Sequence, residues 1–353
     1  MNFLEVWDHP ELFDKFDFSE IDHKVKAIQK VRANYPLYNK VIKELNNRVD
    51  IDYIKDSELL EGNEVRQLKD INYDDEYEEL FDETNIFDKK VKNPSIDEFF
   101  LGKYRTILKN GRLVIYRKDP ETGVIYQFNS GMPKHLKALK FALDKARKDQ
   151  QSINEGIPVP ITSKFIEDVH EMMFADYIQI NTRLNKIPGK PPIKPEGYGK
   201  FRRTIFINGK EHKYNVAVDG VNWKPTDSDD VNKEMNELIK CYNESTLHPI
   251  IKAVIFKTSM IRIQPFRDGN KRSSRVLLNH MLVREGYPTV NIQGIYKDKY
   301  FKAINTAIDT NDFSLILEMI KDELEYRCKQ YYSLMQKLDL KHTVYEESNG
   351  PSL

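Results

Sequence analysis

The sequence lacks an excess of charge of either sign. Its 353 residues include 55 lysines and arginines and 55 aspartates and glutamates, so the formal net charge is zero and the isoelectric point is near 7.1. A chain without a net charge is not drawn as a whole to nucleic acid or to an anionic membrane surface. We therefore expect no nucleic-acid partner, and binding of an anion such as phosphate has to be local.

Cysteines and long apolar runs are also scarce. The two cysteines, Cys241 and Cys328, lie far apart in helical patterns without metal-ligand spacing, which indicates ordinary thiols in a reducing compartment. No stretch approaches the length of a membrane-spanning helix, and residues 1–8 lack the basic and apolar regions of a signal peptide. We expect a cytoplasmic protein without membrane contact.

Helical periodicity dominates the sequence. Apolar residues recur every three or four positions over residues 21–47 on either side of Pro36, which predicts a helical hairpin. A separate third helix is expected from Ile51 to Leu60, followed by Gly62. Further amphipathic runs extend from Leu136 to Ala146, Phe165 to Met172, Val231 to Ile239, Ile251 to Thr258, Val276 to Leu282 and Phe313 to Leu338. The pattern predicts a mainly α fold.

Shorter stretches with alternating pattern interrupt the helices. Three of them predict a small antiparallel meander: residues 104–108, 113–116 and 124–128. An acidic stretch over residues 68–88 precedes the meander, and we interpret it as a solvated insertion because no metal-loop spacing organises its carboxylates. Residues 203–218 predict a hairpin around Asn208-Gly209, which is either a flap over a neighbouring site or a plain surface hairpin.

The most chemically specific stretch is residues 264–275. It follows one apolar helical run and opens another, so Gly269 and Asn270 should lie where free backbone N–H groups and the positive end of a helix dipole attract an anion. Glycine lets the backbone approach phosphates closely, and the Asn270 amide could donate to an oxygen between two phosphates. The stretch therefore predicts a phosphate-binding site.

Charged side chains complete this predicted site. Asp268 is a hard oxygen ligand suited to a Mg²⁺ ion that also contacts phosphate oxygens. Arg272 and Arg275 lie three positions apart on one helix face and supply fork-shaped cations for successive phosphates. Isolated carboxylates and arginines near a helix start are usually surface capping groups, but the complete string at this spacing is far rarer by chance.

The string is similar to the motif of the Fic family, H-P-F-x-[D/E]-G-N-[G/K]-R-x-x-R. It matches at Pro265, Phe266, Asp268, Gly269, Asn270, Lys271, Arg272 and Arg275 and departs at Gln264. The similarity extends over residues 131–310. It implies a helical Fic core with residues 203–218 as a flap, ATP and Mg²⁺ as the substrate and the ion, and transfer of AMP to a hydroxyl side chain of a protein.

The same resemblance assigns roles to individual residues. It implies that Asp268 holds the metal and that the nucleotide is bound by Gly269, Asn270, Lys271, Arg272 and Arg275. It also suggests four parts of the chain: residues 1–67 as an N-terminal helical region, 68–130 as the acidic insertion with the meander, 131–310 as the Fic core and 311–353 as a C-terminal helix and tail.

A second family motif, [S/T]-x-x-x-E-[G/N], matches residues 57–62. The pattern is weak alone, and a solvated helix end would explain it equally well. Upstream of a Fic-like core it resembles an inhibitory helix, in which Ser57 and Glu61 are the motif residues and Glu61 pairs with Arg275 and displaces the γ-phosphate of ATP. Two anions would then compete for one cation, and about 1.4 kcal/mol of difference shifts such a balance tenfold.

Gln264 replaces the family's histidine, which is the general base. A glutamine forms hydrogen bonds but cannot take a proton and hold the charge. Losing a general base typically slows a reaction by about 10² to 10⁴. His248 and His280 are poor substitutes, because one starts the preceding helix and the other lies well along the following one. We therefore predict nucleotide binding with weak or absent transfer.

Two alternatives stay open at this stage. The chain could be a nucleotide-sensing regulator in which the meander and the acidic insertion recruit a partner. It could also be a kinase-like member of the family, since Lys271 replaces the commoner glycine, although Gly269 argues against that branch. The target protein is not specified by the sequence, a second copy of the chain is one candidate target, and a homo-oligomer is an open alternative.

Overall fold

The protein is built mainly from α-helices. The computed structural model describes residues 3–34, 36–61, 66–67, 104–109, 112–118, 125–129, 132–175, 177–178 and 195–337. Its helices are α1 (Ser19–Asn34), α2 (Pro36–Leu60), α3 (Met132–Asn154), α4 (Ser163–Met173), α5 (Val231–Glu244), α6 (Pro249–Ile263), α7 (Asn270–Arg284), α8 (Lys297–Thr310) and α9 (Ser314–Lys337). Short 3₁₀ helices lie at Phe3–Asp8, Pro10–Phe13 and Gly294–Tyr296.

Helix α6 lies at the centre of the fold. Every residue of α6 except Pro249, Lys252 and Arg262 is buried, as expected for a helix that is apolar nearly all round. Helix α7 packs against α6 and α3, and α5, α8 and α9 also contact α6. The loop that joins α6 to α7 is therefore carried between two helices that are fixed by the core.

Local signals set several of the helix boundaries. Proline at the first position begins both α2 and α6, where the missing N–H costs nothing. Thr162 caps α4 by accepting a hydrogen bond from the Phe165 N–H at 3.2 Å. The predicted break at Pro36 and the predicted start of α4 are therefore confirmed.

The predicted separate third helix is wrong. Helix α2 runs without interruption from Pro36 to Leu60, so the second and third predicted helices are one element. Residues 46–50 contain neither glycine nor proline, and nothing in them breaks a helix. Gly62, which was expected to follow the helix end, lies outside the described residues.

Helix α8 is an element that the sequence reading did not predict. Its buried residues are Tyr300, Ala303, Ile304, Ala307 and Ile308, spaced for one helix face. Two of the five are alanines, so the apolar stripe is faint in the sequence.

The strands form two small antiparallel sheets. The predicted meander is confirmed as β2 (Tyr104–Lys109), β3 (Arg112–Lys118) and β4 (Ile125–Asn129), with pairs such as Ile107 to Val114 and Ile115 to Phe128. A two-residue strand, β1 (Arg66–Gln67), joins the edge of β4 and gives the order β1-β4-β3-β2. The acidic stretch over residues 68–88 lies outside the described residues.

The predicted hairpin is present but short. Strands β5 (Ile205–Ile207) and β6 (Lys210–His212) pair on either side of Asn208 and Gly209. Both turn residues have positive φ, 50° and 77°, as a type I′ turn requires.

Within the described ranges, no helix combines the length and the apolar character that crossing a membrane requires. The two cysteines carry no disulfide, and Cys328 is buried in α9 while Cys241 is half-buried in α5.

Truncation of a core side chain in α6 should destabilise the fold strongly. Phe256 is fully buried, and Phe256→Ala is expected to lower the free energy of unfolding by about 3–5 kcal/mol through lost burial and a cavity. Phe206→Ala, in the hairpin at 72% exposure, is the matched control and should cost less than about 0.5 kcal/mol. Urea denaturation measures both, and equal losses would contradict the assignment of α6 to the core.

Candidate active site

The loop between α6 and α7 has a left-handed residue at each end. Gln264 ends α6 with φ 53° and ψ 61°, and its N–H donates to the Met260 carbonyl at 3.0 Å. Gly269 precedes α7 with φ 74°. The left-handed backbone conformation is unusual for a residue other than glycine. Contacts around Gln264 therefore have to stabilise it.

The Gln264 side chain supplies part of that stabilisation. It is only 6% exposed, and its Nε2 donates to the Ile261 carbonyl at 2.8 Å. Its Oε1 accepts from Asn270 Nδ2 at 2.7 Å. Asn270 also closes the loop, because its Oδ1 accepts from the Phe266 N–H and its Nδ2 donates to the Phe266 carbonyl, both at 2.8 Å. The glutamine amide is therefore a structural group that links the end of α6 to the start of α7.

Glycine is required at position 269 for two reasons. Its positive φ is costly for other residues, and a Cβ there would lie 2.3 Å from Cε2 of Phe174. The Gly269 carbonyl accepts from the Ser273 N–H at 2.8 Å and closes the first turn of α7. By helix geometry, the N–H groups of residues 270–272 have no acceptor within the helix, so this terminus can bind an anion.

Asp268 and the two following cations lie around this terminus. The Asp268 side chain is 59% exposed, its Oδ2 lies 3.3 Å from a guanidinium nitrogen of Arg272, and its Oδ1 accepts from the Gly269 N–H. The guanidinium of Arg272 lies over the Phe174 ring and the Lys271 ammonium over the Phe301 ring, at 5.2 and 4.6 Å from the ring centroids. The exposed Asp268 carboxylate thus contacts the Gly269 N–H and the Arg272 guanidinium at the start of α7, and Lys271 adds a cation on the same helical turn.

Asp268 fits a magnesium ion that is shared with phosphate oxygens. Among the residues that the structure describes, no group of three or more histidine, cysteine, aspartate or glutamate side chains is arranged to hold a metal ion. Mg²⁺ commonly binds through one or two carboxylates together with phosphates and water. A single exposed carboxylate beside an anion site is sufficient for such shared binding. A metal site formed by protein ligands alone would need more side chains than the described residues bring together.

Arg275 contacts Ser57 and Glu61 of the second predicted motif. It is 2% exposed, and its guanidinium donates to Ser57 Oγ at 2.6 and 3.1 Å, to the Ser57 carbonyl at 3.1 Å and to Glu61 Oε1 at 2.8 Å. Burial opposes the charge on each partner. The attraction of Arg275 and its cationic neighbours nevertheless holds the pKa of Glu61 below its ordinary value, and the attraction of Glu61 raises the pKa of Arg275.

The C-terminal turn of α2 is held by two further contacts. Asp56 accepts hydrogen bonds from Asn291 Nδ2 at 2.6 Å and from the Gly294 N–H at 2.8 Å. Glu58 Oε1 lies 3.5 Å from Nδ1 of the fully buried His135 on α3. The end of α2 is therefore fixed against α7, α3 and the segment before α8.

Arg202 is a site residue that the sequence reading missed. Its buried guanidinium donates to four main-chain carbonyls: Gln264 at 2.7 Å, Ile263 at 3.1 Å, Tyr214 at 3.3 Å and Thr226. Burial lowers its pKa to about 10. A cation at the carboxyl end of α6 is also favoured by the helix dipole. All the partners of Arg202 are backbone groups, so no side chain elsewhere in the sequence indicated its role.

His170 is a second missed residue. It lies on the buried face of α4, and burial lowers its pKa to about 3. Its Nε2 is 2.9 Å from the Asp268 carbonyl, and its Nδ1 accepts from the Gly199 N–H at 3.0 Å. The sequence signal available for His170 was its position among the core-facing residues in the apolar pattern of α4.

The remaining histidines of interest lie elsewhere. His248 caps α6 and its Nε2 is 3.1 Å from Asp22 Oδ2, while His280 is buried and its Nε2 is 3.2 Å from Asp149 Oδ2. Each is engaged by its own carboxylate.

Adding a methyl group at Gly269 should measure the packing of the loop on Phe174. Gly220→Ala is the matched control, since Gly220 has the same φ of 74° and no atom within 4 Å of the added Cβ. We expect the control to cost about 1–2 kcal/mol for the backbone alone and Gly269→Ala to cost about 1–3 kcal/mol more. Urea denaturation compares the two, and an equal cost would show that Phe174 does not confine the loop.

Comparisons with known proteins match the part of the chain that contains the motif. Residues 160–282 match the sequence model of the Fic/DOC family. The protein adenylyltransferase Fic of Drosophila ananassae is 29% identical over 210 residues, which are 58% of this chain and 38% of that protein. The protein of the same name from Drosophila yakuba is 33% identical over 116 residues, which are 33% of this chain and 21% of that protein. The matches thus cover well under half of these relatives.

A solved structure supports the fold. The Fic domain containing signaling protein from Bacteroides thetaiotaomicron aligns with a TM-score of 0.51 and 16% identity, over 89% of this chain and 95% of that one. At that identity the likeness concerns the fold alone, and it confirms the predicted mainly helical Fic-type architecture. The chain therefore contains a domain of the Fic/DOC family, which the family model places at residues 160–282.

Proposed function

We propose that this protein binds ATP with Mg²⁺ at the start of α7, in a site built to transfer AMP to a hydroxyl side chain of a protein. In this proposal Glu61 inhibits the site and Gln264 leaves transfer weak or absent. The observation that carries it is the buried Arg275, the last arginine of the Fic-like motif, which is engaged by Ser57 of α2 and by Glu61 directly after that helix. The name protein adenylyltransferase, borne by the matched relatives, supports the reaction class.

The start of α7 supplies the binding groups. Main-chain N–H groups of residues 269–272 and the side chains of Lys271 and Arg272 would contact the phosphates. Asp268 would hold Mg²⁺, which when bound neutralises charge on the phosphate oxygens. Asn270 contributes by holding the loop, because both hydrogens of its amide are already used there. A direct phosphate contact by Asn270 would require breaking its bond to Gln264.

Inhibition would arise from competition at Arg275. The Glu61 carboxylate is ionised at neutral pH because its pKa is lowered, and it occupies the same guanidinium that a terminal phosphate would need. The anion that binds Arg275 more favourably displaces the other. Each difference of roughly 1.4 kcal/mol in their binding free energies changes the ratio of the two bound forms tenfold. Ser57 accepts three further hydrogen bonds from the same guanidinium and would strengthen the inhibited form.

Gln264 would limit the chemical step. Its amide cannot hold a proton, and its Nε2 and Oε1 are already paired with Ile261 of α6 and Asn270 of α7. Binding without transfer is therefore the expected behaviour, and this observation also favours a second candidate function, a nucleotide-sensing protein. The mass of any covalent product separates transfer of AMP from transfer of phosphate.

Restoring the base should restore transfer. We expect Gln264→His combined with Glu61→Gly to add the mass of AMP to the protein itself or to lysate proteins in the presence of ATP and Mg²⁺. The rate should exceed that of Glu61→Gly alone by about 10² or more, because a general base typically contributes that much. Mass spectrometry is the readout, and an unmodified proteome with the double variant would reject the transferase proposal.

Removing the inhibitory charge should strengthen ATP binding. Glu61→Gln keeps the size of the side chain, and we expect an affinity gain of roughly tenfold, equivalent to about 1.4 kcal/mol. Asp52→Asn on the same helix, which removes an exposed carboxylate paired with Lys55, is the control and should have no effect. Isothermal titration calorimetry measures both variants.

The gain from Glu61→Gln should not vary between pH 6 and 8. The pKa of Glu61 is lowered in the folded protein, so its ion pair is fully present above the ordinary carboxyl pKa and is lost only as the pH falls through the lowered value. A gain that disappears near neutral pH would contradict an ionised Glu61 at Arg275.

A further inference from the structure

His170 is the one imidazole that touches the Fic motif loop among the described residues. It is fully buried on α4 and connects three segments: α4 itself, the 195–203 segment through the Gly199 N–H, and the loop through the Asp268 carbonyl. Its ring is stacked on Phe266 with centroids 3.7 Å apart and on Phe174 at 4.6 Å, with interplanar angles of 17° and 16°.

The two hydrogen bonds define the tautomer. A main-chain N–H can only donate, so Nδ1, which faces the Gly199 N–H, must be the unprotonated acceptor. The proton is then on Nε2, which donates to the Asp268 carbonyl. Each ring nitrogen is thus matched to one backbone group, and no other common side chain offers a donor and an acceptor at this separation within a flat ring.

The bond to Asp268 has a consequence for the peptide unit that follows. In a trans peptide the C=O and the N–H point in opposite directions. Because His170 holds the Asp268 carbonyl toward α4, the Gly269 N–H of the same peptide points away from His170. On that side the Gly269 N–H donates to Oδ1 of Asp268, so this N–H can bind an anionic oxygen and a phosphate oxygen would take the place of the carboxylate oxygen.

We propose that His170 is a positioning residue that holds the Asp268–Gly269 peptide so that the Gly269 N–H faces a bound phosphate. The role in phosphate binding rests on the proposed function, whereas the role in orienting the peptide does not. Rotation of this peptide would turn a carbonyl oxygen toward the anion and replace an attractive contact with a repulsive one. Gly269 and its flexible backbone make such a rotation accessible unless the carbonyl is held.

The test uses His170→Phe, which keeps a flat ring between Phe266 and Phe174 and removes both hydrogen bonds. His280→Phe is the matched control, because His280 is equally buried and packs on the Phe165 ring but bonds to Asp149, away from the loop. His170→Gln is a second variant that retains a donor and an acceptor. Circular dichroism and thermal melting confirm that each variant folds.

Two measurements decide the proposal. For ATP with Mg²⁺, calorimetry should show at least a tenfold weaker affinity for His170→Phe, partial recovery for His170→Gln and no change for His280→Phe. In the ligand-free protein, hydrogen exchange over residues 264–275 should be faster for His170→Phe and unchanged for His280→Phe. A purely structural role would lower the melting temperature of both phenylalanine variants and leave the ATP affinity of both unchanged.

The outcomes separate this inference from the proposed function. If the wild-type protein binds ATP and His170→Phe binds it equally well, or if His280→Phe weakens binding by the same factor, the positioning role is overturned and the proposed function stands. If the wild-type protein does not bind ATP, the proposed function fails. Exchange in the ligand-free protein then decides, and an unchanged rate for His170→Phe overturns the orienting role as well.

Discussion

The site depends on a guanidinium that is almost completely removed from water. A buried cation needs an anionic or polar partner, because its hydration is lost and must be replaced. Arg275 finds its partners on α2, more than two hundred positions earlier in the chain, where Ser57 and Glu61 supply a hydroxyl, a carbonyl and a carboxylate. The need to compensate this one charge joins the N-terminal helices to the Fic domain and makes the same position attractive to a phosphate.

A second constraint acts on the loop between α6 and α7, which buries main-chain groups that no regular secondary structure satisfies. Their partners are side chains: Asn270 binds both main-chain groups of Phe266, Arg202 binds the carbonyls of Ile263 and Gln264, and His170 binds that of Asp268. Pairing of this kind is what allows an irregular segment to be buried. Gln264 belongs to this set of structural groups, although its position in the motif suggests a chemical role.

The sequence predicted elements whose signals are local and missed those that depend on distant contacts. Pro36, Thr162 and the Asn208-Gly209 turn marked real boundaries, and the motif indicated the loop on which the proposed site is based. The expected break before Ile51 failed because periodicity alone does not end a helix, and α8 was missed because alanines weaken its stripe. Arg202 and His170 bind backbone groups far away in sequence, so residue type and spacing carried no sign of them. The boundaries of the four proposed parts of the chain stay predictions.

The way in which α2 is attached bears on how fast Glu61 could exchange with another anion at Arg275. Asp56 and Glu58 anchor its last turn to Asn291, Gly294 and His135, while Glu61 follows the final helical residue and is partly exposed. Under the proposed competition, a rotation of the Glu61 side chain would release its contact with Arg275 while the last turn of α2 stays anchored. Side-chain rotations take picoseconds to nanoseconds when exposed, whereas displacement of packed helices takes microseconds or longer. Such an exchange would let the occupancy of Arg275 respond to ligand concentration as a rapid equilibrium, without a slow rearrangement of the fold.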